Sequence, residues 1–489
     1  MKKNFSYYLQ ESGEVGFVEE SIRGVVKVKG LPGVKLKEMV MLESGEVGEV
    51  LALDEDGVEV LIFGEESVPV GMKAVRMGNQ LAVAVGEELL GMTLDGLGRP
   101  ISGQEGKSFK AAYLVDVVPV GIGKRRKINR RLDTGQVIVD MLIPLGRGQR
   151  ELVIGDRKTG KSVVTLSTMV AQARSGGVCV YAAVGRQKTD IKKVEQFVKG
   201  GGIEKQTVIV AASSQDCLGE IFMAPFTAMA VCEYFRDMGR DVLLVLDDLT
   251  THAKFYRELS LVLRRFPGRD AYPGDIFHVH SRLLERAGNF WVLGANSGKG
   301  GEVAITALPI AETVQGDIAG YIPTNLMSMT DGHIYFDADL FFRGRRPAID
   351  PFVSVTRVGH QTQSPLEREI TGEITNLLGQ YERTQSFLRF GTELGESSRQ
   401  ILAIGSKVLV FFDQPLLSVV PRDLQKLLFG LLWAGAWNGR EMEKILSWYE
   451  GDEKVRREVG EIVSESQTLA TLVTSVRQKS DLFGQLLSR

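Results

Sequence analysis

The chain has 489 residues, with 59 lysines and arginines against 61 aspartates and glutamates, and a net charge of −2. This length predicts about three domains. A composition of 44% hydrophobic and 25% charged residues excludes a disordered, collagen-like or disulfide-stapled chain. The balanced charge argues against a protein that coats nucleic acid, because sequence-independent phosphate binding needs a surplus of cations.

The cysteines and the apolar runs bear on where the chain works. Its three cysteines form no C-x-x-C pair, which suits a reducing compartment. The first residues contain no apolar stretch of about 7–15 residues, so we expect no secretory signal. The longest apolar run, residues 427–437, is about half as long as a membrane span, and we expect a buried helix there.

Residues 1–90 consist of short valine-rich segments separated by glycines. Strands at spacings of about 8–12 residues with turn signals between them predict a small closed or sandwiched β-domain. Asp56-Gly57 lies between two apolar runs and predicts a β-hairpin with a tight primed turn. Nothing in this region indicates catalysis.

Residues 91–363 alternate apolar runs with helical stretches. Continuous apolar runs are typical of parallel strands that helices cover on both faces, so we predict a parallel α/β sheet. The runs that we assign to strands are residues 151–155, 177–185, 207–213, 241–248 and 290–295.

Residues 364–489 are predicted to form an all-helical domain, because glycine thins and the helical period takes over. Apolar residues follow the i, i+3, i+4, i+7, i+8 pattern of one helix face. They are Leu424, Leu427, Leu428, Leu431 and Leu432.

A phosphate-binding loop is predicted between the run 151–155 and the helical stretch behind it. The motif GxxxxGK[ST] is matched by Gly155, Asp156, Arg157, Lys158, Thr159, Gly160, Lys161 and Ser162. Backbone N–H groups and the helix N-terminus would face the phosphates of ATP or ADP. Lys161 would reach the β- and γ-phosphates, and the Ser162 hydroxyl would ligate Mg²⁺.

A phosphate site of this kind also needs a strand-end carboxylate, and Asp247 follows four apolar residues. We predict that Asp247 holds Mg²⁺ through water. Hydrolysis would further need a residue that orients the attacking water. The run 177–185 is followed by Arg186 and Gln187, and no carboxylate stands there.

Long stretches resemble the α subunits of F-type ATP synthases. They include GQRELVIGDRKTGKS, LLVLDDLTTHAKFYRELSLVLRRFPGRDAYPGDIFHVHSRLLERAG, TALPIAETVQGDIAGYIPTNLMSMTDGHIYFDADLF and RRPAIDPFVSVTRVG. The resemblance covers nearly the whole chain. It implies a six-stranded N-terminal β-barrel, a central P-loop (RecA-like) α/β nucleotide-binding domain and a C-terminal helical bundle.

The same resemblance implies partners and a location. The α subunit alternates with catalytic β subunits in a ring around the central-stalk γ subunit, and it meets the peripheral stalk and its δ subunit. It is a peripheral protein on the cytoplasmic face of the membrane, coupled to the ion-translocating sector indirectly, with no nucleic-acid partner. This chain reaches its predicted barrel within about fifteen residues, so we expect a different attachment to the peripheral stalk.

The resemblance also assigns residue roles. The loop is similar to the α version, with Lys158 in place of Gln and Ser162 in place of Thr. Where α subunits carry a Gln and catalytic β subunits a Glu, this chain has Arg186, followed by Gln187. An arginine is donor-only and always charged, so we predict a site that binds Mg-ATP without turnover, with Gln187 among its binding residues.

Three further positions take their predicted roles from the resemblance alone. Arg357 matches the arginine finger that α subunits project into the neighbouring β site. Arg346-Pro347 and Gln414 match residues that line the adenine pocket. Leu416 stands where the family has a further pocket glutamine.

Two other classes of protein share this ATPase core and remain as alternatives. The basic residues 124–127 with Arg130 and Arg131 would suit a ring helicase, but no interleaved aromatics are present for base stacking, and we expect an ordinary loop. A self-sufficient hexameric export-type ATPase would need its own water-activating carboxylate.

His278 and His280 have the spacing of metal ligands, yet no third ligand is evident and a structural role is expected.

Overall fold

In the computed structural model of the chain, the described residues are 4–64, 67–101, 109, 111–293, 300–389, 395–437 and 442–479. The chain divides into two compact units. The first contains Met1–Arg126, Gly176–Glu312 and Ala319–Met329, and the second contains Lys127–Ser175, Thr313–Ile318 and Thr330–Arg489. The predicted domain boundaries at residues 90 and 363 stay a prediction.

The first unit begins with helix α1 (Phe5–Ser12) and a closed antiparallel barrel with the strand order β1-β2-β5-β4-β3-β6. Its interior is filled mainly by branched side chains, among them Val26, Val28 and Val60. Closure leaves no strand edge unpaired. The predicted barrel is confirmed. Its strands are β1 (Gly16–Ile22), β2 (Val25–Lys29), β3 (Glu38–Leu42), β4 (Val47–Asp54), β5 (Gly57–Ile62) and β6 (Lys73–Gln80).

The predicted hairpin joins β4 to β5, but its turn is not primed. Asp54 pairs with Gly57, so Glu55 and Asp56 form the turn, and neither has a positive φ. Gly57 has a φ of 154° and is the first residue of β5. A Cβ there would lie 2.8 Å from the carbonyl oxygen of Val28. Glycine is therefore needed one position later than the primed turn would require.

A parallel sheet follows in the first unit, with strands in the order β8-β14-β13-β15-β17. This confirms the predicted α/β sheet. The run from residue 290 belongs to β16, which pairs antiparallel with β17, so its prediction as a parallel strand is wrong; residues 294 and 295 of that run lie outside the described residues. The described strands that follow the barrel along the chain, in both units, are β7 (Ala82–Val85), β8 (Thr93–Leu94), β9 (Ala111–Leu114), β10 (Arg131–Leu132), β11 (Leu145–Gly146), β12 (Glu151–Gly155), β13 (Val178–Arg186), β14 (Thr207–Ser213), β15 (Val242–Asp247), β16 (Gly288–Leu293), β17 (Gly300–Glu312), β18 (Gly332–Phe336) and β19 (Val355–Thr356).

The second unit has its own strands and the C-terminal helices. Strand β12 pairs parallel with β18, and β18 pairs antiparallel with β19. From Pro365 onward all the described secondary-structure elements are helices, and the leucine face of Arg422–Trp433 is buried, which confirms the helical domain. The remaining helices are α2 (Val137–Leu142), α3 (Lys161–Arg174), α4 (Lys188–Gly200), α5 (Leu218–Asp237), α6 (Leu249–Val262), α7 (Ile276–Leu284), α8 (Tyr321–Met329), α9 (Ala338–Phe342), α10 (Pro365–Arg389), α11 (Glu396–Phe411), α12 (Arg422–Trp433), α13 (Met442–Gly451), α14 (Glu453–Glu465) and α15 (Leu469–Gln478).

Helix α5 is the one described helix that is long and apolar enough to cross a membrane. Its most apolar stretch is 89% buried within the structure. It packs against β13, β14 and β15 of the parallel sheet. These contacts are those of a core helix, whose apolar surface is covered by protein.

Glu367 near the start of α10 is a charged hub of the second unit. Its carboxylate accepts hydrogen bonds from Arg422 Nε at 2.5 Å and Nη2 at 2.7 Å. Arg131 and Lys426 lie 3.3 Å and 3.5 Å from the same carboxylate. Burial raises the pKa of Glu367, but the hydrogen bonds from Arg422 and the charges of Arg131 and Arg422 outweigh it and lower the pKa to about 2.

We expect Glu367→Gln to lower the free energy of unfolding by on the order of 2 kcal/mol at pH 7, since one pKa unit corresponds to about 1.4 kcal/mol. The folded-state pKa of about 2 lies below the ordinary value, so this stabilisation is present above about pH 4.3 and is lost as the pH falls toward 2. The urea midpoint, followed by tryptophan fluorescence at pH 7 and at pH 3, measures it.

The matched control is Glu373→Gln, which changes an exposed carboxylate on the same helix. Its urea midpoint should equal that of the wild type at both pH values. Equal midpoints for Glu367→Gln and the wild type at pH 7 would contradict the role of Glu367 as a hub.

Candidate functional site

The predicted phosphate loop lies in the second unit, between β12 and α3. Gly155 has a φ of 155°, and a Cβ there would lie 2.4 Å from the carbonyl oxygen of Phe336. Gly160 precedes the first residue of α3 with a φ of 98°. Residues that carry a side chain rarely adopt either backbone conformation, so both positions require glycine. The loop therefore has the strand, loop and helix context that its motif predicts.

Lys161 points back into this loop. Its ammonium donates to the carbonyl oxygens of Gly155 at 2.7 Å and Asp156 at 2.6 Å, and the residue is only 6% exposed. These hydrogen bonds hold the positive charge at the N-terminus of α3, where the helix dipole also favours an anion. The arrangement is suited to binding phosphate groups.

Other loop residues fix its shape or lie at its surface. The Asp156 carboxylate accepts from Thr313 Oγ1 at 2.5 Å and from the Gly316 N–H at 3.0 Å. The Thr159 hydroxyl donates to the Asp156 carbonyl oxygen at 2.8 Å. Asp156 and Thr159 thus maintain the loop.

The remaining loop side chains are more accessible. Arg157 and Lys158 are exposed, and Lys158 has a positive φ of 63°. Ser162, the second residue of α3, is partly buried. Of these, only Ser162 carries the hydroxyl that Mg²⁺ binding in P-loop proteins uses.

In the first unit, Asp247 is the last residue of strand β15 and is buried. Its carboxylate accepts hydrogen bonds from the Tyr181 hydroxyl and the Arg186 guanidinium. Asp248, the next residue, caps α6 by accepting from the Thr251 N–H at 2.6 Å. Burial raises the pKa of Asp248 to about 6, against the opposing effect of the Arg186 charge.

The residues present fit a weakly held Mg²⁺. A carboxylate has about four lone-pair positions, so Asp247 can accept from a metal-bound water as well as from Tyr181 and Arg186. Magnesium usually keeps several waters and binds few protein groups. The described part of the chain contains no group of three or more His, Cys, Asp or Glu residues that could hold a metal ion.

Gln187 directly follows Arg186 at the N-cap of α4. Its side chain is exposed and makes no capping hydrogen bond. Gly185, two residues earlier, has a φ of 61°, and a Cβ there would lie 2.6 Å from the Phe255 ring. The strand end is therefore tightly packed, and Gln187 extends from it into solvent.

The structure brings Arg346 and Gln414 together in the second unit. The Gln414 N–H donates to the Arg346 carbonyl oxygen at 2.7 Å. The Arg346 guanidinium stacks on the Phe341 ring at 3.8 Å from its centroid. Pro347 follows and is partly buried, and Leu416 is 64% exposed.

The Gln414 side chain is buried and bonds to the main chain. Its amide nitrogen donates to the carbonyl oxygens of Gly135 at 2.8 Å and Ser418 at 2.9 Å. Its amide oxygen accepts from the Val137 N–H at 3.1 Å. Both amide hydrogens are thereby used, so the structure gives Gln414 a packing role that the sequence did not predict. Its role toward adenine stays a prediction.

Arg357 follows β19 and is exposed. Its N–H donates to the Asp331 carbonyl oxygen at 2.9 Å, and its guanidinium reaches only the Thr330 carbonyl oxygen, at 3.4 Å. Within the described chain, no carboxylate forms an ion pair with Arg357. Asp331 is itself fixed by Arg150, whose Nη2 lies 2.8 Å from its Oδ1. The backbone of Arg357 is thus anchored while its charge remains at the surface.

The sequence did not predict the residues that contact and fix Arg186 and Arg357. Glu312 ends β17 and lies 3.8 Å from Arg186, and β17 was not among the predicted strands. Arg150 and Asp331 are 181 residues apart, and neither stands in a motif. Only an apolar run before Glu312 could have signalled a strand end there.

Two arginines of the basic run that would suit a ring helicase make contacts within the first unit. The Arg125 guanidinium donates to the Ala287 carbonyl oxygen at 3.1 Å and lies over the Phe290 ring. Arg126 lies over the Trp291 ring at 5.5 Å. These arginines therefore attach their loop to β16.

Of the two histidines expected to be structural, His280 is buried in the core, whereas His278 is exposed. The Nε2 atom of His280 lies 3.0 Å from Nδ1 of His252, and both of these rings are buried. Burial lowers the pKa of His252 to about 4, so this ring is neutral at neutral pH.

Comparison with known proteins agrees with this architecture. Residues 135–356 match the ATP synthase alpha/beta family, nucleotide-binding domain, and residues 363–479 match the ATP synthase alpha/beta chain, C terminal domain. ATP synthase subunit alpha of Caldanaerobacter subterraneus subsp. tengcongensis is 41% identical over 84% of this chain and 80% of that protein.

Two further relatives carry the same name. ATP synthase subunit alpha of Aquifex aeolicus is 38% identical over 96% of this chain and 94% of that protein. That of Wolinella succinogenes is 39% identical over 86% of this chain and 83% of that protein. The barrel, the nucleotide-binding α/β domain and the helical domain are thus those expected from the resemblance. The chain belongs to the family of ATP synthase α subunits.

Proposed function

We propose that the chain is the regulatory, non-catalytic α subunit of an F-type ATP synthase that transports H⁺ or Na⁺. In this role it binds Mg-ATP or ADP at its own phosphate loop without turnover. It also supplies Arg357 to the catalytic site of an adjacent β subunit. The observation that carries the proposal is the position of Arg186, which lies at the end of β13 and pairs with Asp247.

The absence of turnover follows from the chemistry of Arg186. A residue that activates water must accept a hydrogen bond from it, and a guanidinium has no acceptor atom. Its pairing with Asp247 also occupies the strand-end carboxylate that faces it. The loop retains Lys161 and its two glycines, so the capacity to bind phosphate is kept.

The finger role of Arg357 is supported by its setting. An arginine that acts on another subunit must be exposed, unpaired with its own carboxylates and fixed at its backbone. Arg357 is exposed and its N–H is bonded to the Asp331 carbonyl oxygen. A guanidinium supplied in trans stabilises the charge of the transferring phosphoryl group.

The partners follow from the same proposal. The chain assembles with β subunits in an alternating ring around the γ subunit and attaches to the peripheral stalk and its δ subunit. It is peripheral to the cytoplasmic face of the membrane and couples to the ion-translocating sector through other subunits. The proposal involves no nucleic acid.

Lys161→Ala should weaken ATP binding by about a hundredfold or more, because a buried charge that contacts phosphate is worth about 3 kcal/mol. Isothermal titration calorimetry of the full chain with ATP measures it. Arg174→Gln is the matched control, since Arg174 is an exposed cation at the other end of α3 and its loss should leave the affinity within about twofold. Retained affinity in Lys161→Ala would contradict the phosphate-loop assignment.

The chain purified alone should bind ATP and release no phosphate above background, because Arg186 cannot activate water. A coupled phosphate-release assay with excess ATP measures turnover. Steady hydrolysis by the isolated chain, abolished in Lys161→Ala, would favour the self-sufficient export-type ATPase instead. Hydrolysis that appears only with added RNA would favour the ring helicase.

Arg357→Ala should lower ATP turnover of the chain assembled with β and γ subunits by about 10³-fold or more, which is the usual contribution of an arginine finger. Nucleotide affinity of the isolated variant should be unchanged. The control is Arg368→Ala, which removes another exposed arginine of the second unit. Equal turnover of the Arg357→Ala and Arg368→Ala assemblies would exclude the finger role.

A further inference from the structure

Two buried histidines of the first unit contact each other through their ring nitrogens. Nδ1 of His252, on α6, lies 3.0 Å from Nε2 of His280, on α7. The two residues are 0% and 1% exposed. Nε2 of His252 lies 3.1 Å from the carbonyl oxygen of Phe222, on α5. The histidine pair therefore joins three helices of the same unit.

These contacts determine how many protons the pair can carry. A carbonyl oxygen only accepts hydrogen bonds, so Nε2 of His252 carries its proton. The neutral ring has a single N–H, so Nδ1 of His252 is an acceptor, and Nε2 of His280 donates to it. One extra proton would place a positive charge on the pair. A second would put two N–H groups face to face at hydrogen-bond distance.

The surroundings of the pair do not compensate a positive charge. The His252 ring stacks on the Phe222 ring, with 5.4 Å between centroids, and lies 6.3 Å from the Phe226 ring. Within the described residues, no carboxylate pairs with either histidine. A cation in such an apolar place is strongly unfavourable. The packed helices therefore require both rings to be neutral.

Titratable groups on α6 and α7 are engaged with other partners. The Tyr256 hydroxyl of α6 donates to Asp275 at 2.7 Å. The Arg282 guanidinium of α7 pairs with Asp116 at 2.9 Å. Helix α8, which packs against α6 and α7, contains no charged residue. None of these groups supplies a negative charge to the histidine pair.

The other elements packed against α6 are α5, β13 and β17. Glu220, the charged residue of α5 closest to Phe222 along the chain, pairs with Arg99. Arg186 ends β13 and Glu312 ends β17, and their side chains lie 3.8 Å apart. Burial lowers the pKa of His252 to about 4, against the opposing Phe222 carbonyl, and burial and the His252 ring lower that of His280 well below its ordinary value.

We propose that the contact between His252 and His280 is an acid-sensitive lock, which holds α5, α6 and α7 together while both rings are neutral and opens on acidification. A histidine exposed to water is protonated below about pH 6.5. The open state then binds more protons than the packed state, so opening becomes more favourable as the pH falls. Each such ring makes the opening constant rise about tenfold per pH unit. The lock lies in the first unit and needs no bound nucleotide.

Thiol labelling of the full chain measures this opening. All three cysteines lie in the first unit, and Cys179 and Cys232 are buried on β13 and α5. A dithiodipyridine reagent labels thiols in acidic as well as neutral solution. The labelling rate of the buried thiols in the wild type is divided by that in His252→Gln at the same pH, which cancels the pH dependence of the reagent.

Glutamine offers a donor to the Phe222 carbonyl and an acceptor to His280, but it does not titrate. We expect the ratio of rates, wild type to His252→Gln, to rise about tenfold or more between about pH 7.5 and about pH 5. His280→Gln should reduce the acid response in the same way. The two variants are independent, so the test stands if one of them fails to fold.

His278→Gln is the matched control, since His278 is exposed on the same helix, two residues before His280. It removes a histidine without touching the buried pair, and its buried thiols should be labelled at the wild-type rate at every pH. Circular dichroism at neutral pH establishes that each variant is folded.

Either of two results would overturn the lock. One is a ratio of wild-type to His252→Gln rates that stays constant between neutral and acidic pH. The other is a His278→Gln variant that loses the acid response as fully as His252→Gln does. Neither result bears on ATP binding, so the proposed function would stand. Conversely, a chain that bound no ATP would leave the lock unaffected.

Discussion

The ion pair between Arg186 and the carboxylates at the carboxyl ends of its neighbouring strands constrains the parallel sheet of the first unit. A parallel sheet brings strand ends to one edge, and here it brings Asp247, Asp248 and Glu312 there in a buried state. Leaving such charges unpaired costs about 3–5 kcal/mol. The guanidinium therefore stabilises the sheet edge and also determines its chemistry, since a donor-only group at this place cannot activate water.

Binding and catalysis require different groups in a P-loop site. This chain has the groups for binding and lacks an acceptor for water at Arg186. Phosphate binding requires glycines that let the backbone turn and a lysine held in the loop, and Gly155, Gly160 and Lys161 provide them. Catalysis requires a hydrogen-bond acceptor for water, and Arg186 provides none. The charge of Arg357 is exposed, as the proposed function requires. These features together suit a subunit whose site binds nucleotide while its surface contributes to chemistry elsewhere.

Strand positions could be predicted closely where an apolar run has clear ends. Residues 151–155 and 207–213 are strands with the predicted bounds. Strand β17 was not predicted, because it contains Pro309, which normally argues against a paired strand, and follows a glycine-rich segment. The direction of β16 was predicted wrongly, because an apolar run carries no information about the orientation of its partner.

The electrostatics of the site could not be predicted from the loop motif, for a physical reason. A motif fixes local backbone geometry, whereas the charge that a carboxylate experiences depends on residues far away in sequence. Arg186 could be recognised from the sequence as a departure from the family pattern, but its effect depends on Asp247 and Glu312, which reach it only through strand pairing. The charge that surrounds Asp247 is thus set by strand pairing, which the loop motif does not encode.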